Sequence, residues 1–372
     1  MIVSAFVLNG GGGVCLAAFT ETKPIGATKK QTDELAAQLP ASDAVMTLNI
    51  QRLFSDALPL VLSGNQPLLA EIVGHIDEVK NKTGFDLRQF EQVAIGVSNK
   101  KSGSNLTFEP VLLARGSFNA NALIALGKTA FSAKNSNVKY REEKVGDRTI
   151  YIFTPPPAPV FKTVPLPTKP NAPAQKTRSP FERSIGGMFD SLSREFAVTA
   201  FNDNTLAIGT AARVRETIGA TSLKIGDDVL SLVTRRANAV FNIGLRLPNG
   251  FADFVPDLGN DEISKNINAI RFLSGSLDAV DGNATLSVLA KTAMPEQAKS
   301  ILEQLQGFQM LGKTFLGGNK SEDKQVFSRM IDNVKIARGE NSNEVTLDLQ
   351  VPQNDINILL KSKKPANKNS SK

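Results

Sequence analysis

The sequence contains only one cysteine and one histidine in 372 residues. A lone histidine, His75, cannot supply the paired imidazoles of a zinc site. Its neighbours Ile72 and Ile76 are apolar, so we interpret His75 as a half-buried helix residue rather than a catalytic base. The cysteine, Cys15, lies near the N-terminus. If it is removed with a leader, the mature chain has no disulfide and no thiol chemistry.

The motifs of common catalytic centres are also missing. The sequence contains no G-x-S-x-G, no H-E-x-x-H and no EF-hand loop. The S-x-x-K matches at Ser98/Lys101 and at Ser321/Lys324 fall in segments that we predict to be polar loops without oxyanion-stabilising groups. Because this pattern is loose, chance explains both matches. We therefore assign no catalytic residue, no metal ligand and no cofactor-binding residue.

An enzyme stays open as one alternative, because acid–base pairs can assemble from distant segments. The neighbouring acids Asp227 and Asp228 are candidates for such a pair. The alternative function is a hydrolase-type enzyme with a carboxylate site between the two halves of the chain.

The formal net charge of +7 comes from two stretches that contain no acid. The last twelve residues carry +5 and residues 155–180 carry +4, which leaves 7 − 5 − 4 = −2 for the rest. We predict that 362–372 is a disordered Lys-rich tail. A near-neutral folded body does not favour nucleic-acid binding.

Residues 155–180 hold nine of the nineteen prolines. Proline removes backbone donors and favours extended neighbours, so this segment is neither a helix nor a central strand. We interpret it as a stiff Pro-rich insertion between two strands. The alternative is an intracellular adaptor that uses Pro167 and Pro170 as a PxxP docking ligand.

Residues 1–30 are predicted to be a leader or a disordered segment. Ile2–Leu8 and Val14–Phe19 are apolar, as in a signal peptide, but no basic residue precedes them and four glycines separate them. An upstream translation start would supply the missing basic region. We predict an extracytoplasmic location, periplasmic or secreted, with the cytoplasm as the alternative.

Apolar periodicity predicts an α+β fold of two homologous modules, 39–222 and 237–361. Each module has the order β-α-β-β-α-β-β-α, with mostly antiparallel sheets and helices on one face, and the first carries the Pro-rich insertion. Short echoes support this duplication, such as "LLARGSFN" against "VLAKTAMP". Hairpins are predicted to turn at Asp203-Asn204 and at Asp281-Gly282.

The segment "GFQMLGKT", Gly307–Thr314, fits the phosphate-loop pattern G-x-x-x-x-G-K-[ST]. A functional phosphate loop follows a buried strand, whereas Ile301, Leu305 and Phe308 here keep helical spacing. The first module also contains "LGKT", at Leu126–Thr129, without the first glycine of the pattern. We conclude that four residues match by chance and bind no nucleotide: Gly307, Gly312, Lys313 and Thr314.

Several segments resemble a loose group of uncharacterised, predicted secreted bacterial proteins with a domain of unknown function. They are "LPASDAVMTLNIQRLF", "KTGFDLRQFEQVAIGV", "VLLARGSFNANAL", "YREEKVGDRTIYIF" and "FAVTAFNDNTLAIGTAARVRETI". The likeness covers residues 39–222 and continues more weakly to 360. Asn119 stands where the group often has Asp. The resemblance implies export and no known catalytic residues.

These observations favour a non-catalytic extracytoplasmic protein with a binding or scaffolding role. Its predicted partner is a protein or another component of the cell envelope. No cofactor, nucleotide or nucleic acid is expected. The sequence does not predict an oligomeric state.

Overall fold

The computed structural model describes residues 34–102, 105–134, 139–154, 195–219, 221–249, 251, 261–316 and 321–361. The predicted leader, the Pro-rich insertion and the Lys-rich tail lie outside these ranges.

The described strands all belong to one antiparallel sheet of twelve strands. Their β-branched and aromatic residues suit a pleated, partly buried surface. The strands are β1 Ala44–Asn49, β2 Phe90–Ser102, β3 Asn105–Gly116, β4 Lys139–Val145, β5 Arg148–Thr154, β6 Phe196–Asn202, β7 Thr205–Gly209, β8 Phe241–Arg246, β9 Ile270–Val280, β10 Asn283–Thr292, β11 Lys335–Arg338 and β12 Glu344–Pro352.

Helices connect these strands. The first, α1, is a continuous segment of three parts: Ile50–Arg52, the π-helical Leu53–Ala57 and Leu58–Leu62. The others are α2 Gln66–Thr83, α3 Ala120–Lys134, α4 Ala211–Ile218, α5 Asp227–Val233, α6 Asp261–Ala269, α7 Pro295–Leu316, α8 Glu322–Asn333 and α9 Gln353–Lys361. A short 3₁₀ turn, Leu87–Gln89, precedes β2.

The two halves of the chain meet at a central strand pair. The sheet order is β11-β12-β10-β9-β8-β1-β2-β3-β7-β6-β5-β4, so β1 and β8 are neighbours. Their register places Val45 opposite Gly244 and Thr47 opposite Asn242. The mixed α and β composition and the antiparallel pairing agree with the sequence prediction. The strands of both halves form one continuous sheet.

Helices cover both faces of the sheet, so the prediction of helices on one face was wrong. On β7, Ala207 packs in the cluster that contains Val214 of α4 and Val229 of α5. The adjacent Leu206 packs against Ala120 of α3 in a separate cluster. Successive residues of a strand point to opposite faces, so the two clusters lie on opposite sides. The sequence pattern did not show this because many strand positions are apolar on both faces.

The helix α7 shares the face that α3 occupies. Its residues Ala298 and Ile301 pack against Val345 of β12. Val345 lies opposite Ala290, which in turn lies opposite Leu273. The residue after Leu273 is Ser274, whose hydroxyl donates to a carbonyl of α5. Opposed residues of paired strands share a face, whereas successive residues of one strand alternate, so Leu273 is on the side of α7 and Ser274 is on the side of α5. α5 and α7 therefore lie on opposite faces of the sheet.

Both predicted hairpin turns are present. β6 ends at Asn202 and β7 begins at Thr205, and β9 and β10 are joined by Asp281-Gly282. Asp281 and Gly282 have φ angles of 50° and 73°, which Asp and Gly tolerate better than other residues. These two residues therefore suit the tight turn between β9 and β10.

The prediction of polar loops around the S-x-x-K matches at Ser98/Lys101 and Ser321/Lys324 was wrong. Ser98 and Lys101 both lie in β2, which extends beyond its apolar centre to Ser102. Ser321 is the residue before α8 and Lys324 lies within α8. Pairing with β3 extends β2 across polar residues, which a prediction from apolar content alone misses.

Candidate docking surface

The phosphate-loop match lies inside α7, the helix that the apolar spacing predicts. Helical amides bond to carbonyls of the preceding turn, so they cannot wrap around a phosphate. The ammonium of Lys313 pairs with the carboxylate of Asp332 at 3.1 Å. The hydroxyl of Thr314 donates to the carbonyl of Met310 at 3.0 Å. Both side chains thus serve contacts within α7 or between α7 and α8.

The second half of α7 and α8 form a helical hairpin. A Cβ added at Gly312 would lie 2.7 Å from Cδ1 of Ile331, so this glycine allows the two helices to approach closely. The amide of Gln309 donates to the carbonyls of Ile331 at 2.8 Å and Val334 at 2.9 Å. These contacts fix α8 against the side of α7 that carries Gln309 and Gly312.

Another side of α7 carries large apolar residues that face solvent. Phe308 is 49% exposed, Leu311 53% and Phe315 78%. Their spacing of three and four residues places them on one side of the helix. We call these three residues the apolar stripe. Two further exposed apolar residues of the hairpin are Met310, 72% exposed, and Phe327, 44% exposed.

The side of α7 that carries the stripe contacts α6 one turn earlier. Gln304, one turn before Phe308, accepts a hydrogen bond of 3.2 Å from the side-chain amide of Asn266. Gln304 and the stripe share a side of the helix by their spacing. The stripe is therefore the continuation of a surface that already packs another helix.

Two bases of the hairpin are held by carboxylates. Lys313 pairs with Asp332, and Arg329 binds Asp355 of α9 through Nη2 at 2.5 Å and Nε at 3.2 Å. The hydrogen bond that Arg329 donates to Asp355 raises the pKa of Arg329. The first pair joins the two helices of the hairpin, and the second holds the hairpin to α9.

The lysine of the first "LGKT" has a similar structural role. Lys128 of α3 donates to Glu142 of β4 at 2.9 Å, which raises the pKa of the lysine. Its ammonium also lies 4.9 Å and 4.5 Å from the ring centroids of Tyr140 and Tyr151. Both "LGKT" lysines therefore tie a helix to the element that follows it, by ion pairing and, for Lys128, cation–π attraction.

Of the two acids proposed for a hydrolase site, Asp228 is held in an ion pair. Asp228 accepts from Arg246 at 2.5 Å and 3.2 Å. Burial opposes ionisation of Asp228, but the bonds from Arg246 and from the Val229 amide outweigh it and lower its pKa. Asp228 therefore stays a charged ion-pair partner rather than a proton donor. The neighbouring Asp227 lies in the first turn of α5.

His75 lies in α2, as predicted, but it is exposed rather than half-buried. Ile76 is the buried member of this segment, at 8% exposure. A one-residue step rotates a helix by about 100°, so His75 turns away from the side that Ile76 buries. The apolar neighbours therefore misled the prediction of its burial.

One groove on the described surface has a volume of about 620 Å³. It lies beside β12 at the end of α8, and its charged residues are Arg236, Lys335, Asp332 and Asp348. Arg236 and Asp348 pair at 3.1 Å. Because both signs of charge are present and partly satisfy each other, this groove selects no single ligand charge.

Sequence reasoning missed the buried base Arg213 of α4, which is only 3% exposed. Its Nη2 donates to the carbonyl of Ala41 at 3.0 Å and to the hydroxyl of Ser42 at 2.8 Å, and its Nη1 pairs with Glu216. It joins α4 to the segment before β1. The repeated pattern of the two halves carries no signal for this contact.

Within the residues that the structure describes, no group of three or more His, Cys, Asp or Glu side chains could hold a metal ion. None of the described helices is both long enough and apolar enough to span a bilayer. The apolar stripe is thus the surface feature with the clearest chemical character.

No protein-family model matches the chain, and no curated protein matches it significantly. Solved structures of TP0453 are similar to it. Crystal form III aligns with a TM-score of 0.38 and 10% identity over 88% of this chain and 97% of that chain. Crystal form IV gives a TM-score of 0.39 and 9% identity over 88% and 95%. At this distance the likeness assigns no function to any residue.

Proposed function

We propose that this chain is a non-catalytic extracytoplasmic protein that binds a partner protein through the apolar stripe of α7. The observation that carries the proposal is the exposure of Phe308, Leu311 and Phe315 on one side of a well-packed helical hairpin. Fully burying a Phe or Leu side chain contributes about 1.5–3 kcal/mol. Contiguous exposed apolar surface is typical of interaction sites in soluble proteins.

The chemistry of the hairpin favours a protein partner over an anionic membrane surface. Helices that lie on such membranes present free Lys and Arg beside their apolar face. Here Lys313 and Arg329 are both engaged by carboxylates. The spacing of the stripe matches the seam with which one helix packs on another or enters a groove.

We also infer that residues 39–222 and 237–361 are homologous modules that together form a scaffold. The strand order β1-β2-β3-β7-β6 in the first half corresponds to β8-β9-β10-β12-β11 in the second. In each half a helix follows the third strand of this series, and another follows the last hairpin. These correspondences, with the sequence echoes, support duplication.

Location is part of the proposal. The apolar N-terminal segments and the resemblance to predicted secreted bacterial proteins support export. An extracytoplasmic protein has no ready supply of ATP, which agrees with interpreting "GFQMLGKT" as helix. The partner is then a protein or another component of the cell envelope.

Site-specific photo-crosslinking in cells tests this function. A benzophenone side chain replaces Phe315 in one variant and Glu303 in the control. Glu303 also lies on α7, with a side chain 63% exposed. We expect a discrete crosslinked product from position 315, found outside the cytoplasm after fractionation, and none from position 303.

Equal labelling from both positions, or protein confined to the cytoplasm, would contradict the proposal. Crosslinks to lipid alone would replace the protein partner with a membrane surface.

A further inference from the structure

The strand β4 ends the described sheet on one side. All seven of its residues pair with β5, from Lys139 opposite Thr154 to Val145 opposite Arg148, without a bulge. Among the described residues no strand pairs with its other side. An unbulged strand of this length with a free edge presents a row of backbone groups that can accept another strand.

When β4, "KYREEKV", is set against its own reverse, Arg141 and Glu143 meet opposite charges. We propose that β4 pairs antiparallel with β4 of a second copy of this chain, with Glu142 at the centre of the pair. The two sheets then become one continuous sheet, and the dimer has two-fold symmetry. This proposal does not depend on the apolar stripe.

On one face of the joined sheet, each Arg141 lies opposite Glu143 of the second copy. Within the chain, Arg141 pairs with Glu195 at 2.8 Å, and Arg215 pairs with Glu143 at 2.6 Å. Arg141 and Glu143 already attract each other within one chain. The new contact extends the series Glu195–Arg141–Glu143–Arg215 across the two-fold axis, twice in the dimer. Networks of this kind contribute more than isolated surface pairs.

On the other face, each Tyr140 lies opposite Lys144 of the second copy, which permits a cation–π contact. Glu142 lies diagonal to the same Lys144, a distance that long side chains can bridge. The two Glu142 residues face each other at the centre. Each is already bound by Lys128 of its own chain at 2.9 Å, which reduces their repulsion.

Two neighbouring registers also keep each face of a continuous sheet on its own side. One places Arg141 opposite Arg141 and Lys139 opposite Glu143, and the other places Glu143 opposite Glu143 and Glu142 opposite Lys144. Each of them, like the proposed register, has two pairs of opposite charges and one central pair of like charges. The proposed register differs in placing Arg141 opposite Glu143, and charge reversal at these two positions tests that contact.

Charged edge strands usually prevent pairing. That protection operates when the incoming strand meets like or unpaired charges. Here the incoming strand is the same sequence reversed, so four of the opposed charges meet their opposites. The edge rejects unrelated strands and accepts its own copy.

The test is the molar mass of the full chain by light scattering and sedimentation over a range of protein concentrations at low salt. The monomer mass is 39.9 kDa. We expect the wild-type protein to dimerise. Each of Arg141→Glu and Glu143→Arg should weaken dimerisation about tenfold or more, because each places like charges opposite each other twice.

The double variant Arg141→Glu with Glu143→Arg restores opposite charges across the two-fold axis and should recover dimerisation. It does not restore the pairs with Glu195 and Arg215, but it does restore the attraction between positions 141 and 143 within one chain. Circular dichroism of each single variant therefore checks that the chain stays folded when the dimer is lost. Lys299→Glu, a charge reversal on α7 at a side chain 64% exposed, is the matched control and should leave the dimer unchanged.

A wild-type protein that stays monomeric at tens of micromolar would overturn the proposal. So would a dimer whose stability does not respond to the two single variants. Failure of this test leaves the photo-crosslinking result at position 315 unaffected, because that residue lies on α7.

Discussion

At the scale of single residues, Lys313 shows how a motif can match without its function. Its ammonium lies 3.1 Å from a carboxylate oxygen of Asp332. A phosphate would have to displace that carboxylate near the C-terminal end of a helix, where the dipole repels anions. The structural role of this lysine is to join α7 to α8.

We expect Lys313→Ala to lower the free energy of unfolding by less than about 1 kcal/mol, because the ion pair is exposed to solvent. Adding ATP or GTP with magnesium should not change the melting temperature of the wild-type protein or the variant. A rise in Tm that is seen in the wild type and lost in the variant would show that the match binds nucleotide.

Sequence patterns predicted which residues lie on helices better than which of them are buried. The apolar spacing placed Phe308 on a helix side with Ile301, and Ile301 is buried at 6% exposure. Phe308 lies one turn beyond Gln304, which contacts α6. Exposure depends on where the neighbouring element stops, and no local pattern encodes that.

At the scale of elements, the connection from α2 to β2 is organised by one carboxylate. Gly84 ends α2 in the left-handed conformation, with a φ of 75°. Asp86 then accepts from the amide of Arg88 at 3.0 Å and from its guanidinium at 2.8 Å, and pairs with Lys80 at 3.1 Å. The side-chain bond from Arg88 is the main reason that the pKa of Asp86 is well below its usual range.

This shift predicts a pH dependence of stability. An acid whose pKa is lowered by folding stabilises the protein above its unfolded pKa of about 3.9, and loses that contribution as the pH falls toward the folded value. We expect Asp86→Asn to cost about 0.5–1 kcal/mol at pH 7 in urea unfolding. The difference from the wild type should shrink as the pH falls below about 4.

Glu303→Gln is the control, since Glu303 lies 3.8 Å from Lys299 and both side chains are more than half exposed. It should change stability little at either pH. If Asp86→Asn lowers the free energy of unfolding by the same amount at pH 7 and near pH 3, the shape of the side chain, rather than its charge, explains the effect.

Helices and strands with a clear apolar period were predictable from the sequence, whereas polar or short helices and strands were not. The turn between β6 and β7 and the helical spacing within α7 were predicted and are observed. β4 was not, because "KYREEKV" contains few apolar residues and takes its strand conformation from pairing with β5. The α6, α5 and α8 helices were also missed, and each is short or polar.

At the scale of the whole molecule, the pairing of β1 with β8 makes one sheet from the two halves. Five residue pairs join these strands, from Ala44 opposite Leu245 to Leu48 opposite Phe241. α5 also covers both strands on one face, through Val229 and Val233. The sequence predicted two modules from their repeated order. It could not show that β1 pairs with β8, because pairing between strands that are distant in sequence leaves no local pattern.

A shared sheet and a shared core predict cooperative unfolding. The two tyrosines, Tyr140 and Tyr151, both belong to the first half, so their fluorescence reports that half. Far-ultraviolet circular dichroism reports the helices and strands of both halves. We expect the two signals to change at the same urea concentration. Separate midpoints would show that the halves unfold independently despite their common sheet.

The position of β1 also has a consequence for synthesis on the ribosome. Its partner β2 emerges soon after it, but β8 emerges only after the whole first half has been made. Until then the other edge of β1 is unpaired, and an open edge can bind other chains. Closing such long-range pairs is also slow compared with forming local hairpins. The nascent first half therefore needs a chaperone, or rapid completion of the second half, to avoid aggregation.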